Sequence, residues 1–478
     1  MVETAGKRKV LCINPWRVDL SYALLYEVAR DLAEDGWDVT WIDASHLDRP
    51  YGGSRLRWLL SVVGRASPSP MAFARAARNA GINVAPWWRL KRSKVTLESR
   101  KAVTEFLYRT EQAILTAEMQ VPVEAMSRKM RRSIDRSVSH LIPRLAPLIR
   151  STDEVVVVNG RTRVGAIVTA LCGESGKDFT VLEVGSEMNS WTSWRNTYPQ
   201  DVTENAKRME LLWHQADDST RRSKGQRFLQ SRIQGAPLQG WRFQPEQHDA
   251  SELARIVQEV SQRHGRGFVT FYPTSGVEFS VTKPGERAPS GADQANAFGD
   301  LCRAAQSLNL GVVVRVHPQP WGARASVEDR IWRERASEYG AYVVPAEAPI
   351  NSYELARRSY ATATHSSSIG PELVGIGVPC LVLGEPFWAS LMGELHATTE
   401  NGMASYLRRR PTISSEWALP WAFYMSELGR PYLHVTVGSP GDVQISGRRV
   451  DRPRLVLRLL EQSRQWVTRI PRKIGRSS

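Results

Sequence analysis

Residues 312–321 read VVVRVHPQPW, and residues 350–384 read INSYELARRSYATATHSSSIGPELVGIGVPCLVLG. The first stretch is a β-branched run that ends in His317-Pro318. In the second, a strand-like run over 360–364 gives way to Ser366-Ser367-Ser368-Ile369-Gly370, and Pro371-Glu372 open a short helix. Short, continuous apolar runs are the pattern of strands buried in a parallel sheet. The loops at their carboxyl ends are where open α/β sheets place ligands. A serine-and-glycine turn feeding a helix N-terminus offers hydroxyls, backbone N–H groups and a positive dipole end, which together suit a phosphate. Pro371 is expected at the first helical position, where its missing N–H costs nothing. Glu372, in the first turn, either complements the helix dipole or accepts from ribose hydroxyls.

The same strand–helix alternation extends outward. Strands are expected at 10–13, 37–42, 155–158, 179–184, 268–272, 312–316, 342–344, 360–364 and 380–383. A helix is expected over 20–33, with Gly36 as its stop. At 478 residues the chain exceeds one ordinary core, so domains of about 200 residues each are expected. The reading is two doubly wound, Rossmann-like α/β domains facing a cleft. Residues 1–235 form the first, with a basic helical insertion over about 88–150, and residues 250–413 form the second. The polar, Gln- and Gly-rich stretch 226–248 links them. Residues 414–478 are expected to return to the first domain as helices and end in a basic tail.

Net charge is +15 and the sequence pI is near 9.9, which points to an anionic partner such as a phosphorylated substrate or an acidic membrane surface. The four cysteines are scattered singly with no CxxC pair, so neither a disulfide framework nor a zinc site is expected. No apolar run reaches the ~18–20 residues of a spanning helix, and the N-terminus lacks an apolar signal region. A cytoplasmic protein, peripheral on the inner face of the membrane, fits these features.

Several side chains at strand ends are candidates for chemistry. His317, with Pro318 fixing the chain direction and Arg315 as a nearby cation, suits a donor phosphate. Tyr272-Pro273-Thr274-Ser275-Gly276 closes a strand and supplies another wall of the pocket. Arg161 and Arg163, just after the run 155–158, suit an acidic acceptor group. Glu183 and Glu187 flank Gly185 at the end of another strand, where a carboxylate can be a nucleophile or a base. No Asp-x-Asp pair, GxxxxGK[ST], GxSxG or HExxH occurs, and no GxGxxG follows the first strand. These absences argue against a metal-chelating sugar-nucleotide site, P-loop chemistry, common hydrolases and dinucleotide-binding dehydrogenases.

With those residues in view, the chain resembles the capsule polysaccharide biosynthesis family, which includes bacterial Kdo transferases. The resemblance rests on VVVVNGR at 155–161, LEVGSE at 182–187, ELLWHQA at 210–216 and FYPTSGVEF at 271–279. It continues through VVRVHPQP at 313–320, INSYELARRS at 350–359 and THSSSIGPELVGIGVPCLVLG at 364–384. It implies a GT-B-type fold and metal-independent sugar transfer from a nucleotide-activated donor, a CMP-sugar among the candidates, with no cofactor. It implies that His317, Ser366, Ser367 and Ser368 hold the donor phosphate and nucleotide and that Glu183 is the acidic residue at the reacting carbon; Ser275, Ser352, Gly370 and Glu372 are expected in the same donor-side set. The acceptor would be an anionic or lipid-linked glycan. Two departures stand out: Leu373 follows the helix-opening Glu where a small residue is usual, and the basic region before residue 155 has no counterpart.

Two other classes compete with a transferase. A sugar-nucleotide epimerase would convert a nucleotide sugar alone, without an acceptor. A non-enzymatic polyanion binder is suggested by the charge and by 16 tryptophans, but these are spread among ordinary helix and strand patterns, so no nucleic acid is expected. The tail 452–478 interleaves apolar and basic residues in a pattern suited to an anionic membrane.

Overall fold

The computed structural model describes residues 7–15, 19–44, 70–85, 90, 92–94, 100–108, 128–161, 163–236, 248–274, 291–317, 323–439, 442–445 and 447–450. They divide between two compact units, one drawn from the described residues within 7–108, 128–196 and 430–450, the other from those within 197–429.

The first unit is built on β1 (Lys9–Asn14), whose Val10, Leu11, Cys12 and Ile13 are all 0% exposed. A strand with no polar face belongs in the middle of a parallel sheet. Parallel to it and to one another run β2 (Asp38–Asp43), β3 (Asn83–Ala85), β4 (Glu154–Val158) and β5 (Asp178–Val184), in the order β3-β2-β1-β4-β5. A further strand, β6 (Ser190–Arg195), turns back antiparallel beside β5. The helix Asp19–Glu34 follows β1 and stops where Gly36 takes a φ of 85°. There Trp37 N–H donates to the Leu32 carbonyl at 2.9 Å and Gly36 N–H to Ala33 at 3.1 Å, the paired closure that needs a left-handed residue. In the basic region, residues 100–108 and Arg128–Arg150 are helical.

Among its described residues the second unit holds five parallel strands: β7 (Phe268–Tyr272), β8 (Gly311–Arg315), β9 (Tyr342–Val344), β10 (Ala361–Thr364) and β11 (Cys380–Val382), in the order β11-β10-β7-β8-β9. Phe271, Phe298 and Trp332 close its core, with ring centroids 5.3 to 5.5 Å apart.

The expected domain limits need correcting. The stretch 226–248 is not a linker throughout: it begins inside the helix Asp218–Ile233, whose few buried residues include Gly225, Leu229 and Arg232. A helix that buries so narrow a stripe reads as polar sequence. It belongs to the second unit, so the units divide after Asn196 rather than near residue 235.

The C-terminal expectation also changes. The helix Leu419–Glu427 packs within the second unit, and the return to the first is made by strands. β12 (Arg430–Pro431) pairs antiparallel with β6, and β13 (Val435–Ser439), β14 (Asp442–Ile445) and β15 (Arg448–Arg449) form a small antiparallel sheet. Val435, Val437, Val443 and Ile445 are buried in one core with Tyr22 and Leu25 of the helix Asp19–Glu34. That alternation is a period-two signal. The tail 452–478 lies outside the described residues.

Gly36→Ala is expected to lower the unfolding free energy by about 1–2 kcal/mol, because an alanine there must hold a left-handed backbone. Urea unfolding monitored by circular dichroism checks this.

Candidate functional site

In the second unit the chain runs outward from β7 to β8 and β9, then crosses back to begin β10 and β11 on the other side. Such a reversal opens a crevice at the carboxyl ends of the two strands beside it, here β7 and β10. A lattice of hydrogen bonds fixes that edge. Thr364 Oγ1 donates to the Tyr272 carbonyl at 2.7 Å, Ser366 N–H to Thr274 Oγ1 at 2.9 Å, and Ser367 N–H to Thr364 Oγ1 at 3.1 Å. Gln294 holds Thr274 from both sides: its Oε1 accepts from Thr274 N–H at 2.7 Å and its Nε2 donates to the Thr274 carbonyl at 3.1 Å. His365 is 4% exposed, with Nδ1 at 3.0 Å from Ser366 Oγ. Burial pushes its pKa down to about 4, against a smaller raising effect of Asp293, so the imidazole is neutral at pH 7. Gly384 lies so close that a Cβ there would come within 2.6 Å of the ring.

The expected donor-side residues fall into two sets. Ser366, Ser367, Ser368 and Gly370 lie on the loop and short helix that follow β10, and half-buried His317 lies just past β8. Ser368 is the N-cap of the helix Ile369–Gly375 but makes no side-chain cap bond. Pro371 is therefore the third helical residue, not the first, still within the turn whose N–H groups need no helical partner. Ser275 and Pro318 lie outside the described residues.

The second set is withdrawn into the interior. Arg315 is 1% exposed and donates to the carbonyls of Pro345, Ala348 and Ile350. Burial pushes its pKa down to about 10. It organises the loop after β9 and is not the cation expected beside a phosphate. Glu372 is not a ribose acceptor either: its Oε1 accepts from Arg232 Nε at 2.9 Å and its Oε2 from Tyr353 OH at 2.7 Å. Ser352 is 1% exposed, at the start of the helix Ser352–Arg358, with its carbonyl accepting from Tyr272 OH.

The first unit repeats the reversal between β1 and β4. At the end of β4, Asn159 (φ 67°) and Gly160 (φ 58°) are both left-handed, a conformation Asn tolerates better than most residues. Asn159 is 2% exposed and its Nδ2 donates to Glu183 Oε2 at 2.8 Å. Arg161 approaches the same oxygen at 3.9 Å. Glu183, on β5, is thus a held carboxylate, with 19% of its side chain exposed. Burial first, then the charges of Glu27 and Glu183, push the Tyr432 phenol pKa well above its ordinary value. Close packing fixes the loop, since a Cβ on Gly165 would meet Gly160 Cα at 2.9 Å. Glu187 stands on the exposed turn before β6. Arg163 departs from expectation: it is 6% exposed, and its Nη1 donates to Ser133 Oγ at 2.9 Å and Ser137 Oγ at 3.1 Å. It binds one helix to another and not an acceptor.

Sequence reading passed over Asn159 as a ligand-side residue, although an Asn-Gly pair directly after a buried strand is a recognisable signal. It also passed over His365 and Gln294. Gln294 carries no such signal, because its contact comes from a helix 20 residues away.

No family model and no curated protein matches the chain. Among solved structures it is similar to Thermosulfurimonas dismutans KpsC, a beta Kdo 2,4 transferase, at 13% identity and TM-score 0.37, over 65% of this chain and 87% of that one. It is similar to alpha,alpha-trehalose 6-phosphate synthase from Burkholderia multivorans at 12% identity and TM-score 0.35, over 99% and 100% of the two chains. A UDP-GlcNAc 2-epimerase from Neisseria meningitidis bound to UDP-GlcNAc gives 12% identity and TM-score 0.25, over 91% and 97%. The fold class of this chain is α/β, with two doubly wound, Rossmann-like sheets.

Two variants test the assignments within the second unit. Glu372→Ala leaves the Arg232 guanidinium buried without its carboxylate and is expected to cost about 3–5 kcal/mol of stability. Denaturant unfolding reads this; intact stability with weakened nucleotide binding would restore the ribose role. For His365, the folded pKa near 4 lies below the ordinary 6.5, so the unfolded chain binds the proton first as pH falls. Stability is then full above pH 6.5, lost progressively down to pH 4 and level below, by about 3 kcal/mol at most. His365→Asn is expected to flatten that segment of the stability–pH curve.

Proposed function

We propose that the protein is a glycosyltransferase that moves a sugar from a nucleotide-activated donor to a surface-polysaccharide or glycolipid acceptor. The observation that carries this reading is the crevice between β7 and β10, lined by Thr274, Ser366, Ser367 and Ser368, with His317 just past the neighbouring strand β8. Hydroxyls and backbone N–H groups held in advance at such a crevice suit a diphosphate or monophosphate leaving group. A CMP-sugar is one donor of this class.

In the reaction the bond between the anomeric carbon and the donor phosphate breaks, and a bond to an acceptor oxygen forms. The acceptor proton passes to a carboxylate. Glu183 fits that part as base, or as nucleophile if configuration is retained, because Asn159 fixes Oε2 at 2.8 Å while Oε1 accepts from the Val184 N–H at the longer distance of 3.3 Å. Arg161 remains near it for an anionic acceptor. The acceptor is an anionic or lipid-linked glycan, met in the cytoplasm or at the inner membrane face. No helix among the described residues is long and apolar enough to cross a membrane.

A thermal-shift screen of CMP, UMP, UDP, GDP and CDP identifies the donor class, since a ligand held by the native state alone raises its transition temperature. Glu183→Gln is expected to abolish transfer while donor binding stays largely intact, with Glu187→Gln retaining activity. No shift with any nucleotide, or full activity in Glu183→Gln, would overturn the reading.

A further inference from the structure

The helix Arg128–Arg150 carries two interior prolines, Pro143 and Pro147. A proline has no N–H for the carbonyl four residues back, so Pro147 leaves the Pro143 carbonyl open. That carbonyl accepts instead from Ser93, whose N–H lies at 2.9 Å and whose Oγ lies at 3.4 Å. Residues 92–94 are thereby moored on the helix.

The mooring gathers positive charge. Arg144 Nη1 donates to the His140 carbonyl at 2.7 Å and lies 3.4 Å from His140 Nδ1. Arg92 stands within electrostatic reach of both: burial first, then Arg144 and Arg92, push the His140 pKa down, and burial followed by Arg92 does the same to Arg144. Lys94, two residues on from Arg92, is exposed. His140 and Arg144 also continue a ridge of basic residues spaced by four, after Arg132 and Arg136, and residues four apart lie on one side of a helix. The acid of this segment, Asp135, accepts from Tyr108 OH at 2.6 Å.

We propose that Arg92, His140 and Arg144 form an anion site that takes a phosphoryl group, carried by a soluble phosphate ester or by a phospholipid headgroup. Two guanidiniums supply forked donors that match phosphate oxygens. His140 adds an N–H from Nε2 when Nδ1 faces Arg144. Bringing like charges together at a partly buried place is unfavourable in the empty protein, and a bound dianion reverses the sign of that interaction. The site does not depend on the transferase reading, and its test involves no turnover.

The test uses the full chain in two arms. Calorimetric titration with inorganic pyrophosphate is paired with NMR titration of the His140 imidazole. Co-sedimentation compares phosphatidylcholine vesicles with and without phosphatidic acid. A bound phosphoryl group is expected to raise the His140 pKa, and Arg92→Gln and Arg144→Gln are each expected to weaken binding about tenfold. Exposed Arg92 keeps the test valid if Arg144→Gln fails to fold. Arg131→Gln, off the ridge, is expected to bind as wild type. Saturable binding of pyrophosphate identifies a soluble ester, and binding confined to phosphatidic acid vesicles identifies a headgroup. The proposal fails if neither probe moves the His140 titration, or if Arg131→Gln weakens binding as much as Arg92→Gln, which would show diffuse attraction to a basic surface.

Discussion

Parallel strands impose the constraint on which both units are built. Joining them requires a crossover, the crossover is right-handed, and covering both faces of the sheet requires the chain to reverse its direction of growth once. Each unit meets this with the order 3-2-1-4-5, starting from a central strand without a polar face. The reversal leaves two neighbouring strand ends from which the chain departs in opposite senses. Thr274 and Ser366 meet there in one unit, and in the other Asn14 ends β1 and Asn159 directly follows β4.

What surrounds each crevice shows how a polar edge is kept stiff. In the second unit, backbone N–H groups of the serine loop donate to the hydroxyls of Thr364, at the end of β10, and Thr274, just past β7, and Gln294 occupies both backbone polar groups of Thr274. In the same unit, buried Glu372 accepts from both Arg232 and Tyr353, where burial would otherwise penalise the charges. In the first unit, two successive left-handed residues turn the chain so that Asn159 reaches Glu183. The backbone cost is offset by hydrogen bonds on both sides: Asn159 N–H donates to Leu182 and Arg161 N–H to Asn159.

Strands were legible in the sequence wherever they were buried on both faces. Residues 268–272 and 342–344 match β7 and β9 residue for residue, because continuous apolar runs between turn residues leave little choice. The strand SWTSWR was missed because its two tryptophans stand three apart, so it shows neither a continuous apolar run nor a period of two, and β12 and β15 are two residues long, too short for any periodicity. Among the candidate residues, position after a strand was enough to place His317 after β8 and Ser366 to Ser368 after β10. It could not tell which charged neighbours turn inward. Arg315, Arg163 and Glu372 have the same local sequence context as ligand residues, and only the carbonyls, serines and arginine they meet from distant segments distinguish them.

The first unit begins with β1 and is completed only by residues from 430 onward, more than 230 positions after β6 ends. The Glu27 carboxylate of its first helix receives the backbone N–H groups of Leu433 and His434. During synthesis, therefore, that carboxylate, the open edge of β6 and the apolar side of Asp19–Glu34 wait while the whole second unit emerges from the ribosome. At the usual elongation rate of about 5–20 residues per second the delay is on the order of ten seconds or more. A sheet edge left unpaired that long is a template for wrong partners, so the yield of native protein depends on how quickly the closing segment arrives.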